Sequence, residues 1–390
     1  VQFSSAQDTQ LQPLGSLSGH GPKVTTCSIS SDGRWLASGG HDRKILIWSI
    51  PERALKYTID AASSEGHSGL ITSVRFTADD RLILGTASYD TTVRIWDLTL
   101  LTGSITSAGE TESEKTVMIA PGSLKPLQIL KGHSAAVKAV DFCAGAGNNH
   151  CVSFDAEGEL RVWDFISGQC ERSFRITTKQ MYSSSSMRCH PQNPSFVVVS
   201  VGTTLYTVQI NDLQSQPRAI HTTHSKNIVA LDWAPQGQFL VCVWDTTQQG
   251  TPTSGTTGST TAMATTWRVF ASQQTQRVSS CAFVKSIPGN STSTSTSTTS
   301  TSTSSSSSSS AMTATGVVYG EYEKISVWNL KTARGYMGGR GPIAELQAHP
   351  GGAVSALACS PSVVDGEHVL VLASASSYRD GVLKLWKISG

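Results

Sequence analysis

Short runs of alternating apolar and polar residues recur along this chain, and each ends in a turn. Ile71-Thr72-Ser73-Val74-Arg75-Phe76 gives way to Ala78-Asp79-Asp80, Leu82–Ala87 gives way to Tyr89-Asp90-Thr91, and Val93-Arg94-Ile95-Trp96 follows. Alternation of period two between polar turns predicts antiparallel strands, and no apolar stripe of helical spacing survives across those turns. Gly66-His67 opens this unit and Trp96-Asp97 closes it.

The frame repeats. His20 leads to Trp48, His133 to Trp163, His224 to Trp267 and His349 to Trp386, the last two intervals being lengthened by inserted residues. Repetition at this period with Gly-His and Trp-Asp signatures resembles the WD40 repeat, whose unit is one four-stranded blade (strands a to d) of a β-propeller. In that family the histidine of the d–a loop, an Asp of the b–c turn, a Ser or Thr of strand b and the Trp of strand c form one hydrogen-bonded chain. The resemblance puts His20, Ser38, Asp42 and Trp48 in these roles, then His67, Thr86, Asp90 and Trp96, and in the last unit His349, Ser376, Asp380 and Trp386. In the third unit His133 and Trp163 keep their places, and a turn two residues longer displaces the acid, Asp155. Networks of this kind satisfy polar groups inside a blade, so these residues read as structural and not as a catalytic triad.

The two ends of the chain complement each other. Pro13–His20 resembles Pro126–His133, a strand d running into its Gly-His loop, whereas the C-terminus stops at a strand c, Leu383-Lys384-Leu385-Trp386. Together they complete one blade and remove open edges. The expected fold is an all-β, seven-bladed WD40 β-propeller closed by pairing of the N-terminal strand d with the C-terminal blade. It would occupy residues 11–390 as a single domain, after a flexible arm over 1–10, with insertions at 99–125, 246–264 and 290–313 as flexible loops. The fourth unit lacks both signatures and is expected to stand on apolar packing alone. Trp244-Asp245 is a decoy, too close to His224 to end a strand c. Phe239–Trp244 reads as strand b and Thr266–Phe270 as strand c.

Composition narrows the function. A net charge of +2 with 15% charged residues is not the basic stripe of a nucleic-acid binder. The eight cysteines show no zinc spacing, and Cys27, Cys189, Cys281 and Cys359 fall in first strands, where small buried thiols are expected. No apolar run is long enough for a membrane span. The chain begins with Val, which suggests a piece of a longer protein. The Ser/Thr run at 291–310 has too little apolar surface to order itself. Searches for a P-loop, a G-x-S-x-G elbow and H-E-x-x-H find none, so no catalytic residue, metal or cofactor is expected.

Binding is the expected activity. The d–a and b–c loops of a propeller open on one face, the top. His41, Tyr89, Phe154 and Arg379 precede the turn acids, Tyr378 sits beside the last of them, and Lys23 and Lys226 start strands a. A ring of aromatic, His, Arg and Lys side chains suits a peptide anchor.

Several stretches together resemble the C-terminal propeller of LEUNIG-type transcriptional corepressors, which share their architecture with Groucho and Tup. They are Val24–Gly33, Ala37–Lys44, Ile71–Phe76, Asp90–Asp97, the displaced Asp155 turn, the Trp-poor fourth unit, Leu231-Asp232-Trp233 and Leu383–Lys387. The resemblance implies a nuclear scaffold whose partners are transcription factors, an adaptor and Mediator-type or chromatin components, with no direct nucleic-acid or membrane contact. Self-association would run through an N-terminal LisH-containing region that this chain lacks. The alternative is a substrate-recognition or assembly subunit of a ubiquitin ligase, trafficking or RNP complex, with a cytoplasmic location open.

Overall fold

The computed structural model describes residues 10–61, 65–102, 124–145, 147–177, 186–212, 214–221, 227–235, 237, 240–244, 278–285, 314–329, 342, 344–377 and 381–389. Strand β1 (Gln10–Leu17) comes first and is used last. The chain then lays down β2 (Val24–Ile29), β3 (Trp35–Gly40), β4 (Ile45–Ser49) and β5 (Ala54–Ile59) as one antiparallel sheet in that order. Next come β6 (Ile71–Phe76), β7 (Ile83–Ser88), β8 (Val93–Asp97) and β9 (Gln128–Leu130). The third sheet holds β10 (Val137–Phe142), β11 (His150–Asp155), β12 (Glu159–Asp164) and β13 (Gln169–Arg175). The fourth holds β14 (Met187–Cys189), β15 (Phe196–Val201), β16 (Thr204–Gln209) and β17 (Arg218–His221). Two strands, β18 (Ile228–Trp233) and β19 (Leu240–Trp244), are described of the fifth. The sixth has β20 (Val278–Lys285), β21 (Ala314–Glu321), β22 (Lys324–Asn329) and β23 (Ala344–Gln347). In the last, β24 (Val354–Val364), β25 (Glu367–Ser376) and β26 (Leu383–Ser389) are completed by β1.

This is the all-β architecture of a β-propeller. First strands touch in sequence, β2 on β6, then β10, β14, β18, β20 and β24, and β24 touches β2 again. Strand β1 pairs antiparallel with β26 from Gln10 opposite Ser389 to Leu17 opposite Leu383, with an irregularity at Pro13/Gly15. Proline cannot donate to a ladder, so its place in this outermost strand is the tolerated one.

The core lies between neighbouring sheets. Ile45, Ile47 and Tyr57 of the first sheet pack with Val74, Leu84 and Trp96 of the second. Val93 and Ile95 of the second pack with Val140, Cys151 and Trp163 of the third. A chain of 390 residues escapes the size limit of a single core because each sheet buries its faces only on its neighbours. The fourth sheet buries Val197, Val199 and Val208 against Ala139, Val152 and Phe154. Each such side chain contributes about 1.5–3 kcal/mol, against about 1 kcal/mol for a hydrogen bond. Apolar burial therefore offsets the missing network.

Strand a of each sheet is an edge whose outward backbone groups need partners. The preceding sheet supplies them from side chains. Thr25 Oγ1 donates to the Ile71 carbonyl (2.6 Å), Thr72 Oγ1 to Val137 (2.7 Å) and Ser355 Oγ to Val24 (2.6 Å). Ser28 Oγ accepts the Phe76 N–H (3.3 Å), Asp141 Oδ2 that of Cys189 (2.9 Å) and Asp232 Oδ2 that of Phe283 (3.0 Å). A belt of short polar side chains thus ties consecutive sheets together.

The expectations differ from the structure at some boundaries. Strand β1 starts at Gln10, inside the stretch read as an arm. The flanks of the 99–125 insertion are ordered: Thr99–Thr102 forms a 3-10 turn, and Leu124 is buried with its N–H donating to the Tyr57 hydroxyl (2.8 Å). Leu98 and Leu124 enter the core between the first two sheets and draw the flanks in. Residues 246–264, 290–313, His224 and Thr266–Phe270 lie outside the described residues. Trp244 closes a second strand that pairs with β18, as its spacing from His224 predicts. Cys27, Cys189, Cys281 and Cys359 are buried on first strands, and burial, opposed by the Arg75 charge, pushes the Cys27 thiol up to about 12.

Candidate functional site

The face that carries the d–a loops and b–c turns is built by side-chain networks joining the two. In the second sheet Trp96 Nε1–H donates to Thr86 Oγ1 (3.0 Å), which meets His67 Nε2 (2.8 Å), while His67 Nδ1 meets Asp90 Oδ2 (2.8 Å). A carboxylate only accepts, so Nδ1 carries the proton and Nε2 accepts from the hydroxyl. Trp48, Ser38, His20 and Asp42 repeat the chain at 2.9, 2.8 and 2.9 Å. Trp163, Ser153, His133 and Asp155 repeat it at 2.8, 2.6 and 2.9 Å.

The last sheet departs from the expected residues. Trp386 Nε1 donates to Ser374 (2.9 Å), and His349 Nε2 meets the same hydroxyl (2.9 Å), so Ser374 takes the place expected for Ser376. The hydroxyl lies 12 residues before this Trp and 10 before the others, because the b–c connection here is two residues longer. Asp380 lies outside the described residues, as do Tyr378, Arg379 and Lys226.

Phe154 is not a surface residue, and the expected longer turn of the third sheet is not the reason. Strands β11 and β12 pair at the same spacing as in the first two sheets, and the network hydroxyl keeps its distance of 10 residues from the Trp. The acid has moved instead: Asp155 follows its hydroxyl residue, Ser153, by two positions, where Asp42 and Asp90 follow theirs by four. In the first two sheets the residue before the turn acid donates its N–H to a carbonyl just ahead of strand a, His41 to Lys23 (3.0 Å) and Tyr89 to Leu70 (3.1 Å). In the third sheet Ala156 does this with Ala136 (2.9 Å), and in the last Ser377 with Ala353 (2.8 Å). Phe154 is still within the ladder, opposite Ala139 and Leu160, and its ring is wholly buried between the third and fourth sheets. Ala156 holds the corresponding surface position.

What remains outward is a small cationic and aromatic set. Lys23 is exposed, with its backbone in the left-handed region (φ 67°). His41 is exposed, and what burial it has, with the Lys23 charge, holds it below the usual imidazole range against the opposing Asp42. Tyr89 is 47% exposed. Lys138, second residue of β10, places Nζ 2.7 Å from the Tyr89 hydroxyl and 4.4 Å from its ring centre. Sequence reasoning missed Lys138. Its signal was the register: it occupies in β10 the place of Thr25 in β2 and Thr72 in β6.

The network acids face inward. Side-chain exposure is 12% for Asp42, 7% for Asp90 and 0% for Asp155. Burial opposes ionisation of Asp90, but the His67 bond and charge and the Thr92 hydroxyl and N–H outweigh it and hold the carboxyl below the usual range. Burial holds His67 below its usual value, against Asp90. With the imidazole neutral at pH 7, the contact is a charge-assisted hydrogen bond and not a full ion pair.

Among the described residues, His133, Asp155 and Glu159 bring ligand atoms within 4.8 Å of one another. Both His133 nitrogens already face Asp155 and Ser153, and Glu159 pairs with Arg161 (3.1 Å). The cluster is part of the blade network and offers an ion no imidazole nitrogen. No helix among the described residues is long and apolar enough to cross a membrane.

Comparison with known proteins agrees with this geometry. Residues 11–49, 60–97, 124–164 and 215–247 match the family model described as WD domain, G-beta repeat. The chain is similar to the transcriptional corepressor LEUNIG_HOMOLOG of Arabidopsis thaliana, 29% identical over 57% of this chain and 23% of that protein. It is similar to the ribosome biogenesis protein YTM1 of Eremothecium gossypii, 25% identical over 58% of this chain and 56% of that one. It is also similar to the pre-mRNA-processing factor 19 homolog 2 of Arabidopsis thaliana, 27% identical over 57% of this chain and 38% of that one. The chain thus spans between about a quarter and about half of these relatives.

Proposed function

We propose that this chain, a WD40-repeat protein, is a non-catalytic interaction scaffold whose top face binds peptide segments of nuclear partners, as a transcriptional coregulator does. The observation that carries the scaffold reading is where the polar groups go. The His, Asp, Ser and Thr side chains that could assemble a triad are consumed blade by blade in loop-to-turn networks. The outward set of Lys23, His41, Tyr89 and Lys138 is suited to contact and not to turnover. The coregulator role, a nuclear location and partners among transcription factors and chromatin or Mediator-type components rest on the similarity to LEUNIG_HOMOLOG.

A specific observation favours a second reading. The similarity to YTM1 covers a larger share of that protein, which supports an assembly role in a ribonucleoprotein pathway. Affinity capture of the tagged protein from its own cells, with and without Tyr89→Ala, separates the two. Transcription factors or chromatin enzymes that are lost with Tyr89→Ala support the coregulator reading. Ribosome precursors in their place sink it, and capture unaffected by the variant sinks the top-face site.

A further inference from the structure

We propose that the top face over the first three sheets takes an acidic peptide, whose carboxylates are received by the Lys138–Tyr89 pair and by Lys23. The inference rests on the top-face reading above and names the chemistry of the partner.

The argument is one of charge that the fold has already spent and charge that it has not. Every turn acid described on this face is saturated from within. Asp42 accepts from His20 and from the N–H groups of Gly21 (2.9 Å) and Lys44 (3.1 Å). Asp90 accepts from His67, the Ser68 N–H (3.0 Å), and the Thr92 N–H (3.0 Å) and hydroxyl (2.7 Å). Asp155 accepts from His133 and the N–H groups of Glu157 (3.0 Å) and Glu159 (2.9 Å). With their lone pairs committed and their side chains sheltered, these carboxylates are not free to neutralise the cations beside them.

The cations are not spent. Among the described residues no carboxylate pairs with Lys138 or Lys23. Lys138 comes from the third sheet and Tyr89 from the second, so the pair bridges two blades. The ammonium has three donors, of which the phenol oxygen accepts one. The phenol, having accepted, still has its own O–H to give. Two donors side by side, with a half-exposed ring beneath them, present to a ligand the complement of a carboxylate with an apolar neighbour. Exposed Arg43 and Lys131, on the b–c turn of the first sheet and the d–a loop after the second, extend the same sign. Two acids bound the cationic area: Glu65, directly before Gly66-His67 as Lys131 stands before Gly132-His133, whose charge acts on Arg94, and Glu157 on the third sheet, held by the Ser134 hydroxyl (3.0 Å). The net charge of the whole chain is only +2, so this is a local patch sized for a peptide and not a nucleic-acid track.

The test uses the full chain and fluorescein-labelled decapeptides read by polarisation. One peptide carries alternating Glu and Leu, and its analogue replaces every Glu by Gln. The acidic peptide is expected to bind at least about tenfold more tightly than the analogue and to weaken with added salt. Lys138→Met, which keeps the apolar stem, and Lys23→Gln are each expected to weaken it about five- to tenfold at unchanged thermal midpoint. Lys56→Ala, on outer strand β5, should leave it unchanged. Equal binding of the two peptides, or binding insensitive to both lysine variants, overturns the proposal. So does an oligouridylate of the same length that binds as tightly as the acidic peptide. If acidic peptides fail while Tyr89→Ala still abolishes partner capture, the top-face reading stands and only its acidic chemistry falls.

Discussion

At the scale of single residues, the structure turns on how histidines and aspartates are paired. Asp90 is held by His67 and by three donors from Ser68 and Thr92, so Asp90→Ala leaves the buried imidazole N–H only its longer contact to the Thr92 hydroxyl (3.3 Å). The expected cost is about 1–3 kcal/mol, read as a lower urea midpoint with the slope unchanged. The same pair predicts a pH dependence of definite sign. Asp90 titrates in the fold below its ordinary 3.8, and His67 below its ordinary 6.5. Both therefore bind fewer protons folded than unfolded, and their stabilisation is present at neutral pH and lost as pH falls. The His67 part starts to go below about pH 6.5 and the Asp90 part below about pH 4. Denaturation of Asp90→Ala across this range should show a flatter acid limb than the parent. A limb of equal steepness would place the titrating groups elsewhere.

At the scale of elements, the last sheet carries a device seen in no other sheet among the described residues. Strands β24 and β25 run 11 and 10 residues, where β2 and β3 run 6 each. The extension reaches over the a–b turn of the first sheet. Ser362 Oγ donates to the Gly33 carbonyl (2.6 Å), Asp365 pairs with Arg53, and Val364 joins the core with Leu36 and Ile50. Gly33 allows this approach twice over. Its φ is +70°, and a Cβ there would stand 1.8 Å from the Pro361 carbonyl oxygen. Gly33→Ala is expected to cost about 2 kcal/mol through left-handed strain and displacement of the hairpin. Calorimetry should show a lower midpoint, and an unchanged one would mean that the hairpin contact contributes nothing to joining the ends.

At the scale of the whole molecule, stability is distributed around a circuit of neighbour contacts, so the seam where the chain's ends meet is its most exposed point. Removing residues 1–17 would strip β1 from β26 and uncover Leu385 and Leu383 beside an open strand edge. The expected result is a lower melting temperature and concentration-dependent association through that edge, seen as higher-order species in size-exclusion chromatography. A monomer of unchanged melting temperature would show that the extended hairpin closes the ring without β1.

Much of this was legible in the sequence, because a blade is a local object. Its strands alternate with period two, its turns carry Asp, Gly and Thr, and its His, hydroxyl and Trp recur at regular spacing, so strand order, the decoy at Trp244 and the pairing of the two ends could be read from residues alone. Side-chain direction at a variable turn could not. Two extra residues between strands b and c of the last sheet move the network hydroxyl from Ser376 to Ser374, and in the third sheet an acid two positions nearer its hydroxyl leaves Phe154 in the core, differences that only the three-dimensional register records. The belt between first strands and the Lys138–Tyr89 pair were equally hidden, since each joins residues on different blades, 46 or more apart in sequence. Periodicity within a repeat determines the element. The contacts between repeats, which set what the surface offers a partner, were decided by the tertiary structure, because they depend on how neighbouring sheets face each other and not on spacing along the chain.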